Sequence, residues 1–257
     1  MLFWLPPALQ TFLKKIYYAR DLRSFSIEQE PDLKLLEYFV KQRDSVIDIG
    51  ANYGIYTKVL SQLIGSNGRV YSIEPVPTTF EILSSNIRKL GLKNVEPINC
   101  AIYDANALVT IAIPSYSTGG ENYYQAHIVK YDDIKPGMKL IHVPSFSIDF
   151  KFNSIADKIS FIKCDVEGFE LECLRGAENL LKVNKPGWLI ELSEDPNNPQ
   201  SSAYQVFKLL AEKGYSAWWF DNKFLRQWQL GDKSINFFFL TDEHIHSLRK
   251  QAPHLLV

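Results

Sequence analysis

Cysteine is scarce in this chain of 257 residues, and the three that occur are Cys100, Cys164 and Cys173. An odd count argues against a disulfide framework, because such frameworks pair an even number of cysteines. None of the three belongs to a C-x-x-C pair, the spacing that is typical of zinc sites, so no zinc site is expected. Reduced thiols and a cytoplasmic location are the simplest expectation.

The chain also lacks an excess of positive or negative charge. Lysine and arginine number 28 against 29 aspartate and glutamate residues, which leaves a formal net charge of -1. No global basic field exists to hold the phosphates of a polyanion, so no nucleic-acid partner is expected. Long apolar runs are also missing. The opening MLFWL is too short to span a bilayer and is followed by Pro6-Pro7, so no transmembrane segment is expected.

Apolar sequence is nevertheless sufficient for one large core. With 46% hydrophobic residues, the chain suits a single α/β domain with embellishments. We predict an N-terminal helical extension over residues 1–30 and a C-terminal tail over residues 242–257. The main domain is predicted over residues 31–241, with an insertion at about 114–150.

The N-terminal extension carries apolar residues at helical spacing. Leu9, Leu13, Ile16 and Tyr17 fall on one face of a helix, and the basic residues fall on others. A signal peptide would carry positive charge before its apolar region, whereas Lys14 follows it. We expect the helix to pack on the domain or on a partner, including a second copy of the chain in a homo-oligomer. A helix lying on a membrane surface is the alternative.

A strand, a glycine turn and the start of a helix are predicted for residues 45–57, SVIDIGANYGIYT. Gly50 permits the sharp bend, and Gly54 lets the helix lie close to the strand. Between them, Ala51 and Asn52 leave the backbone open to a ligand. This order of elements is typical of the beginning of a nucleotide-binding domain.

The surroundings of the turn indicate which ligand it binds. Asn52 stands where the dinucleotide fingerprint G-x-G-x-x-G has its middle glycine, which disfavours a pyrophosphate. S-adenosylmethionine has no phosphate, and Asp48 can meet its ammonium group. Glu74 ends a second predicted strand, about 20 residues after Gly54, at the spacing of a carboxylate that accepts hydrogen bonds from both hydroxyls of an adenosine ribose. An exposed loop carboxylate is the alternative for Glu74.

Two further predicted strands lead into acidic residues. The run FIKC precedes Asp165 and Glu167, and the run WLI precedes Glu191. In open α/β sheets the ligand lies outside the carboxyl ends of the strands, so Asp48, Glu74 and Asp165 are expected to converge on one crevice. The alternative for Glu167 is a structural role, in which its charge favours the N-terminus of the following helix.

Between the predicted strand that ends at Glu74 and the one that precedes Asp165, the alternation of strands and helices is interrupted. A third strand is predicted over residues 94–102 and another over 108–114, without a helix between them. An insertion here would lie over the ligand edge of the sheet, although aromatic residues in a long loop also serve simply to pack it down. The candidate lining of an acceptor pocket is Tyr116, Tyr123, Tyr124 and His127.

The motifs VIDIGANYGIYT, SIEP and FIKCDVEGFELECLRG resemble the FkbM family of S-adenosylmethionine-dependent methyltransferases. The resemblance covers residues 31–241 and implies an α/β, Rossmann-like class I methyltransferase fold. That fold has a seven-stranded, mostly parallel sheet with an antiparallel last strand and helices on both faces. A predicted closing hairpin over residues 215–220 and 236–241 fits the antiparallel strand.

The resemblance also implies roles for particular residues. The glycine turn, with Asp48, Gly50, Asn52 and Gly54, would hold the methionine part of the cofactor. Glu74 would hold its ribose, and the neighbourhood of Cys100 and Ala101 would hold its adenine. Asp165 and Glu167 would form the floor of the site. The implied acceptor is a hydroxyl group of a small molecule or a glycan.

Methyl transfer to oxygen requires alignment of the reactants and removal of the hydroxyl proton. Asp165 and Glu167 are the first candidates for orienting and deprotonating the acceptor, and Glu191 and His127 follow them. No metal is predicted, but clustered carboxylates that hold a divalent cation are an alternative. The alternative that is not an enzyme is a scaffold protein that binds S-adenosylmethionine without transferring its methyl group. An NAD-dependent oxidoreductase is disfavoured by the missing middle glycine.

Overall fold

The computed structural model describes residues 6–115, 120–129, 134 and 138–257. Of four residues in these ranges only the backbone is described, namely Pro7, Ala8, Tyr124 and Asp157. The prediction for Tyr116 therefore lies outside the described residues, and so does that for the side chain of Tyr124.

The strands of the described ranges follow the apolar runs of the sequence. In chain order they are β1 Ser45–Ile49, β2 Arg69–Ile73, β3 Val95–Ile98, β4 Ala101–Ile102, β5 Ala107–Ile113, β6 His127–Ile128, β7 Lys139–Phe146, β8 Ile159–Cys164, β9 Gly187–Glu191, β10 Ser216–Phe220, β11 Leu225–Gln227 and β12 Asn236–Leu240.

The helices occupy the segments between them. In chain order they are α1 Pro7–Ser24, α2 Leu36–Phe39, α3 Ile55–Ile64, α4 Pro77–Leu90, α5 Ile148–Phe152, α6 Glu170–Arg175, α7 Glu178–Val183, α8 Ser202–Glu212 and α9 Asp242–Gln251. Short 3₁₀ helices lie at Ile27–Gln29, Pro31–Leu35, Tyr123–Gln125, Asn153–Lys158 and Pro253–Leu255.

The central sheet has the order β3-β2-β1-β8-β9-β12-β10-β11. Strands β3, β2, β1, β8 and β9 pair in parallel, and β12 runs antiparallel to both of its neighbours. The predicted Rossmann-like class I fold is confirmed, with β11 as an unpredicted eighth strand at the edge. The Asp221 carboxylate forms the turn before β11 by accepting the backbone N–H groups of Lys223 and Phe224.

Helices cover both faces of the sheet because alternate residues of its central strands point to opposite sides. Ile47 and Ile49 of β1 pack in an apolar cluster with α5, α6, α7 and α8. Val46 packs in a second cluster with α2, α3, α4 and α9. Asp48 shares the face of Val46, which directs its carboxylate towards α3.

A second sheet with the order β4-β7-β5-β6 was not predicted. The third strand, predicted as continuous over residues 94–102, is divided between the two sheets as β3 and β4. The Asn99 amide causes the division, since it donates to the carbonyl groups of Glu74 and Pro75 and thereby binds the chain across the end of β2.

The two terminal segments pack on the domain. On α1, Ala19 and Leu22 are buried, and Lys15 forms an ion pair of 2.9 Å with Glu81 of α4. Most of the predicted C-terminal tail forms α9, whose Ile245 and Leu248 are buried in the cluster of α2 and α3. Within the described ranges, no helix is both long and apolar enough to cross a membrane.

The packing of α9 predicts that it contributes to the stability of the whole domain. Leu248→Ala should lower the free energy of unfolding by about 2–5 kcal/mol, because it leaves a cavity at a fully buried position. Its neighbour Arg249 is exposed, so Arg249→Ala should change the stability by no more than about 0.5 kcal/mol. Urea denaturation followed by circular dichroism measures both. Equal effects of the two substitutions would contradict the placement of α9 in the core.

Candidate active site

The carboxylate of Asp48 is buried beneath the glycine turn. Its Oδ2 atom accepts a hydrogen bond of 2.6 Å from the Thr57 hydroxyl of α3. Its Oδ1 atom is buried and has no hydrogen-bond partner among the described residues. Burial raises the pKa of Asp48, and the nearby Lys163 ammonium and Thr57 hydroxyl oppose that rise. One oxygen of Asp48 is thus left to a cationic or hydrogen-bonding ligand.

The glycine turn brings two strand ends into direct contact. Gly50 has φ +76°, and a Cβ atom there would lie 1.8 Å from the backbone oxygen of Asp165. The N–H of Asp165 in turn donates to the Ile49 carbonyl at 3.1 Å. Only glycine allows this approach, so Gly50 holds the loop after β8 against the loop after β1.

Glu74 joins the glycine turn to the end of β2. Its side chain is buried and accepts the backbone N–H of Asn52 at 3.1 Å and that of Val76 at 2.9 Å. Burial raises the pKa of Glu74 to about 7, although both hydrogen bonds favour the ionised form. Burial excludes the alternative of an exposed loop carboxylate, and Glu74 belongs to the wall of a cleft.

That cleft lies at the carboxyl edge of the central sheet and contains most of the predicted site residues. The predicted residues that line it are Gly50, Asn52, Glu74, Cys100, Ala101, Tyr123, His127, Asp165 and Glu167. The remaining predicted cofactor residues, Asp48, Ala51 and Gly54, support the turn behind this lining. Glu191 is outside the lining, but its carboxylate is close enough to Asp165 and Glu167 for both to raise its pKa.

The second sheet supplies the opposite wall. Ile111 of β5 and His127 and Ile128 of β6 line the cleft together with Tyr123. The Tyr123 hydroxyl donates to Glu121, and the Lys14 ammonium lies 4.8 Å from the centre of the Tyr123 ring. The inserted segment thus covers the ligand edge of the central sheet, as the sequence predicted for Tyr123 and His127.

Lys163 is the main site residue without a predicted role. It lies in β8, is 3% exposed, and its ammonium is 2.9 Å from Oδ2 of Asp165. Burial alone would lower the pKa of Lys163, but the carboxylates of Asp165, Asp48 and Glu191 together raise it. A lysine inside an otherwise apolar strand, two residues before an aspartate on the same face, is the signal that identifies it.

Three glutamates surround this ion pair. Burial raises the pKa of Glu167, of Glu191 and of Glu30, and the charge of Asp165 adds to the rise in each case. For Glu191 the pKa reaches about 7. Glu30 comes from the segment between α1 and α2 and was not predicted, because no local pattern connects it with β8. No set of three histidine, cysteine, aspartate or glutamate residues in the described part of the chain is arranged to hold a metal.

The structural role predicted as an alternative for Glu167 is performed by Glu170. Oε1 of Glu170 accepts the N–H groups of Val166 and Gly168 and so closes the loop before α6. Glu167 itself has φ +55°, a left-handed conformation that is uncommon for a residue with a side chain. This conformation leaves Glu167 in the cleft wall.

The contact at Gly50 leads to a stability prediction. Gly50→Ala should destabilise the protein by clearly more than about 1 kcal/mol, because a methyl group would collide with the Asp165 carbonyl. Gly91→Ala is the matched control, since Gly91 also has a positive φ but nothing within 4 Å of its Cβ position. That control should cost about 1 kcal/mol of backbone strain. Chemical denaturation compares them, and equal losses would contradict the close approach.

Several known proteins with sequences similar to this chain are methyltransferases. The curated hexuronic acid methyltransferase AglP of Haloferax volcanii is 24% identical over 201 residues, which are 78% of this chain and 73% of that protein. The protein-L-isoaspartate O-methyltransferase of Methanococcus aeolicus is 37% identical over 59 residues, or 23% of this chain. The matches to two such protein-L-isoaspartate O-methyltransferases cover only 27% and 30% of those proteins' own length.

Among solved structures, the methyltransferase FkbM of Methylobacillus flagellatus superposes with a TM-score of 0.50 at 15% identity. The match covers 90% of this chain and 59% of that chain, and at this identity it supports the fold alone. The family model described as Methyltransferase FkbM domain matches residues 48–217, which include the glycine turn, Glu74, Asp165 and Glu191. The chain belongs to the FkbM family of S-adenosylmethionine-dependent methyltransferases.

Proposed function

We propose that this protein transfers a methyl group from S-adenosylmethionine to a hydroxyl group of a sugar or another small-molecule or glycan acceptor. The observation that carries the proposal is the convergence of the glycine turn, Glu74, Asp165 and Glu167 in one cleft. The sugar class is supported by the similarity to AglP, which is described as a hexuronic acid methyltransferase.

The residues of the cleft fit S-adenosylmethionine. The unpartnered Oδ1 atom of Asp48 suits the ammonium of its methionine part. An ionised carboxylate has about four acceptor sites, and the two backbone N–H groups leave room on Glu74 for the ribose hydroxyls. Cys100 and Ala101 provide an apolar surface for the adenine ring.

The ion pair with Lys163 distinguishes Asp165 from the other carboxylates of the cluster. The Lys163 ammonium lies 2.9 Å from Oδ2 of Asp165, so this ion pair holds the carboxylate of Asp165 in place and Asp165 orients its surroundings. The pKa of Glu191 is about 7, which suits a general base that works at neutral pH. We assign Glu191 as the base and Glu167 as the residue that orients the acceptor.

The reaction balances with these residues alone. When bound, S-adenosylmethionine would supply an electrophilic methyl group, whose C–S bond would break with the electron pair left on sulfur. The acceptor oxygen forms the new bond to carbon, and its proton passes to the carboxylate of Glu191. Alignment in the closed cleft provides much of the rate.

The proposal has two alternative functions, and it includes a location of the protein in the cell. A scaffold without turnover would bind the cofactor but methylate no acceptor. An NAD-dependent oxidoreductase would bind NAD, which the side chain of Asn52 in the glycine turn disfavours. The three cysteines are free, which supports the predicted reducing, cytoplasmic location.

Cofactor binding should depend on the ionised form of Glu74. We expect the affinity for S-adenosylmethionine to rise with pH through about 7 and then level off, because only the carboxylate accepts both ribose hydroxyls. Glu74→Ala should weaken binding at least about tenfold and remove this pH dependence. Titration calorimetry measures both effects, with NAD as a ligand that should not bind.

Glu96→Ala is the control for this substitution, because Glu96 is an exposed carboxylate on the adjacent β3. It should leave the affinity and its pH dependence unchanged. Unchanged affinity in Glu74→Ala, with the fold verified by circular dichroism, would remove the ribose assignment.

Turnover should depend on Glu191. Glu191→Gln should lower kcat by roughly 10²–10⁴-fold while the cofactor affinity stays unchanged, because the amide cannot accept the proton. In the unsubstituted protein kcat should rise with pH through about 7, as the base becomes ionised, and the variant should lose that rise. The assay uses methyl-labelled S-adenosylmethionine with a panel of hydroxylated sugars.

Glu212→Gln, at an exposed position of α8, is the matched control and should retain full turnover. If Glu167→Gln lost the activity and the pH dependence while Glu191→Gln kept them, Glu167 would be the base. Absence of methylation across the whole panel, with the cofactor bound, would favour the scaffold.

A further inference from the structure

The outward face of α1 is apolar and is not covered by the rest of the described chain. Leu9, Phe12, Ile16 and Tyr17 are 41%, 57%, 49% and 64% exposed. The first three follow one another at spacings of three and four residues, so they form one stripe along the helix. Single exposed apolar residues are ordinary, but a contiguous stripe indicates a binding surface.

The opposite face of α1 is firmly attached, so the stripe is a fixed feature of the surface. Ala19 and Leu22 are buried. The Lys58 ammonium donates to the Leu22 carbonyl at 2.6 Å, and the Lys89 ammonium donates to the Lys15 carbonyl at 2.9 Å. The apolar stripe therefore points away from the domain while the helix is held by its other side.

The same face becomes basic towards the end of α1. Arg20 and Arg23 are exposed there, and one nitrogen of the Arg23 guanidinium donates to the Lys89 carbonyl at 3.3 Å. The only acidic residue among the first 24 is Asp21, and it accepts a hydrogen bond from the Tyr53 hydroxyl at 3.2 Å. An apolar stripe with leucine, phenylalanine and isoleucine that continues into arginine is the combination that binds the interface of an anionic bilayer.

We propose that α1 docks this protein onto an anionic phospholipid bilayer. Leu9, Phe12 and Ile16 enter the boundary between headgroups and acyl chains, and Arg20 and Arg23 meet the lipid phosphates. A second copy of the chain is the competing occupant of the stripe. The arginines at the end of the stripe favour the bilayer, because they can pair with lipid phosphates.

Lys14 of α1 lies over the ring of Tyr123, and Tyr123 lines the cleft, so α1 borders the cleft. The docking itself is independent of the proposed methyl transfer, so each is tested separately.

The test is co-sedimentation of the full chain with vesicles. The protein should pellet with vesicles of phosphatidylcholine mixed with phosphatidylserine, and pellet less with phosphatidylcholine alone or in high salt. Phe12→Ser combined with Ile16→Ser should weaken binding at least about tenfold, because two apolar side chains are lost from the interface. Arg20→Gln should weaken it about fivefold.

Val183→Ser is the matched control, since Val183 is a 65% exposed apolar residue of the helix α7. It should bind as the unsubstituted chain does, and thermal denaturation verifies that all variants are folded. Failure of the unsubstituted chain to pellet with anionic vesicles overturns the proposal, as does full binding by the Phe12→Ser and Ile16→Ser variant. A dimer in light scattering that this variant converts to a monomer, without vesicle binding, would identify the second copy as the occupant.

Discussion

Repulsion between like charges at the carboxyl edge of the central sheet is the constraint on which the site depends. Parallel strands end at the same edge, so Asp48, Asp165 and Glu191 are brought together by β1, β8 and β9. Lys163 lies among them, buried and 2.9 Å from Asp165. Its ammonium pairs with Asp165, whereas burial and the charges of Asp165 and Glu167 raise the pKa of Glu191 to about 7. One carboxylate is thus held by the buried cation, and a separate carboxylate exchanges protons near neutrality.

The backbone contact at Gly50 is the geometric counterpart of that charge balance. Since Gly50 has no Cβ atom, the loops after β1 and β8 touch, which places Asp165 beside the glycine turn. Glu74 ties the third loop to the same turn through the N–H of Asn52. The cleft is therefore built from three loops that hold one another, and the second sheet closes it from the side of Tyr123 and His127.

Several elements could be predicted because their signals are local. The apolar run before Asp48, its glycine turn and the helical spacing after it identify β1 and α3, and the long motifs identified the family, the fold and the cofactor. The spacing of Thr78 and Glu81 fits a capping box, but no such cap forms. The helix α4 begins at Pro77 with no side-chain cap, and Glu81 pairs instead with Lys15 of α1. The second sheet escaped prediction because β4 is only two residues long and finds its partner in β7, more than 30 residues away.

By itself the sequence determined that the glycine turn and several acidic residues meet at the carboxyl edge of the sheet, because strand direction and glycine turns follow from residues close together in the chain. Only the tertiary structure decided which carboxylates stay charged, since that depends on burial and on distances between separate elements. Glu30 and Lys163 illustrate the difference. They lie far apart in sequence, yet burial raises the pKa of Glu30 and the charge of Lys163 opposes part of that rise. No pattern within either segment contains that information, because electrostatic interactions act through space.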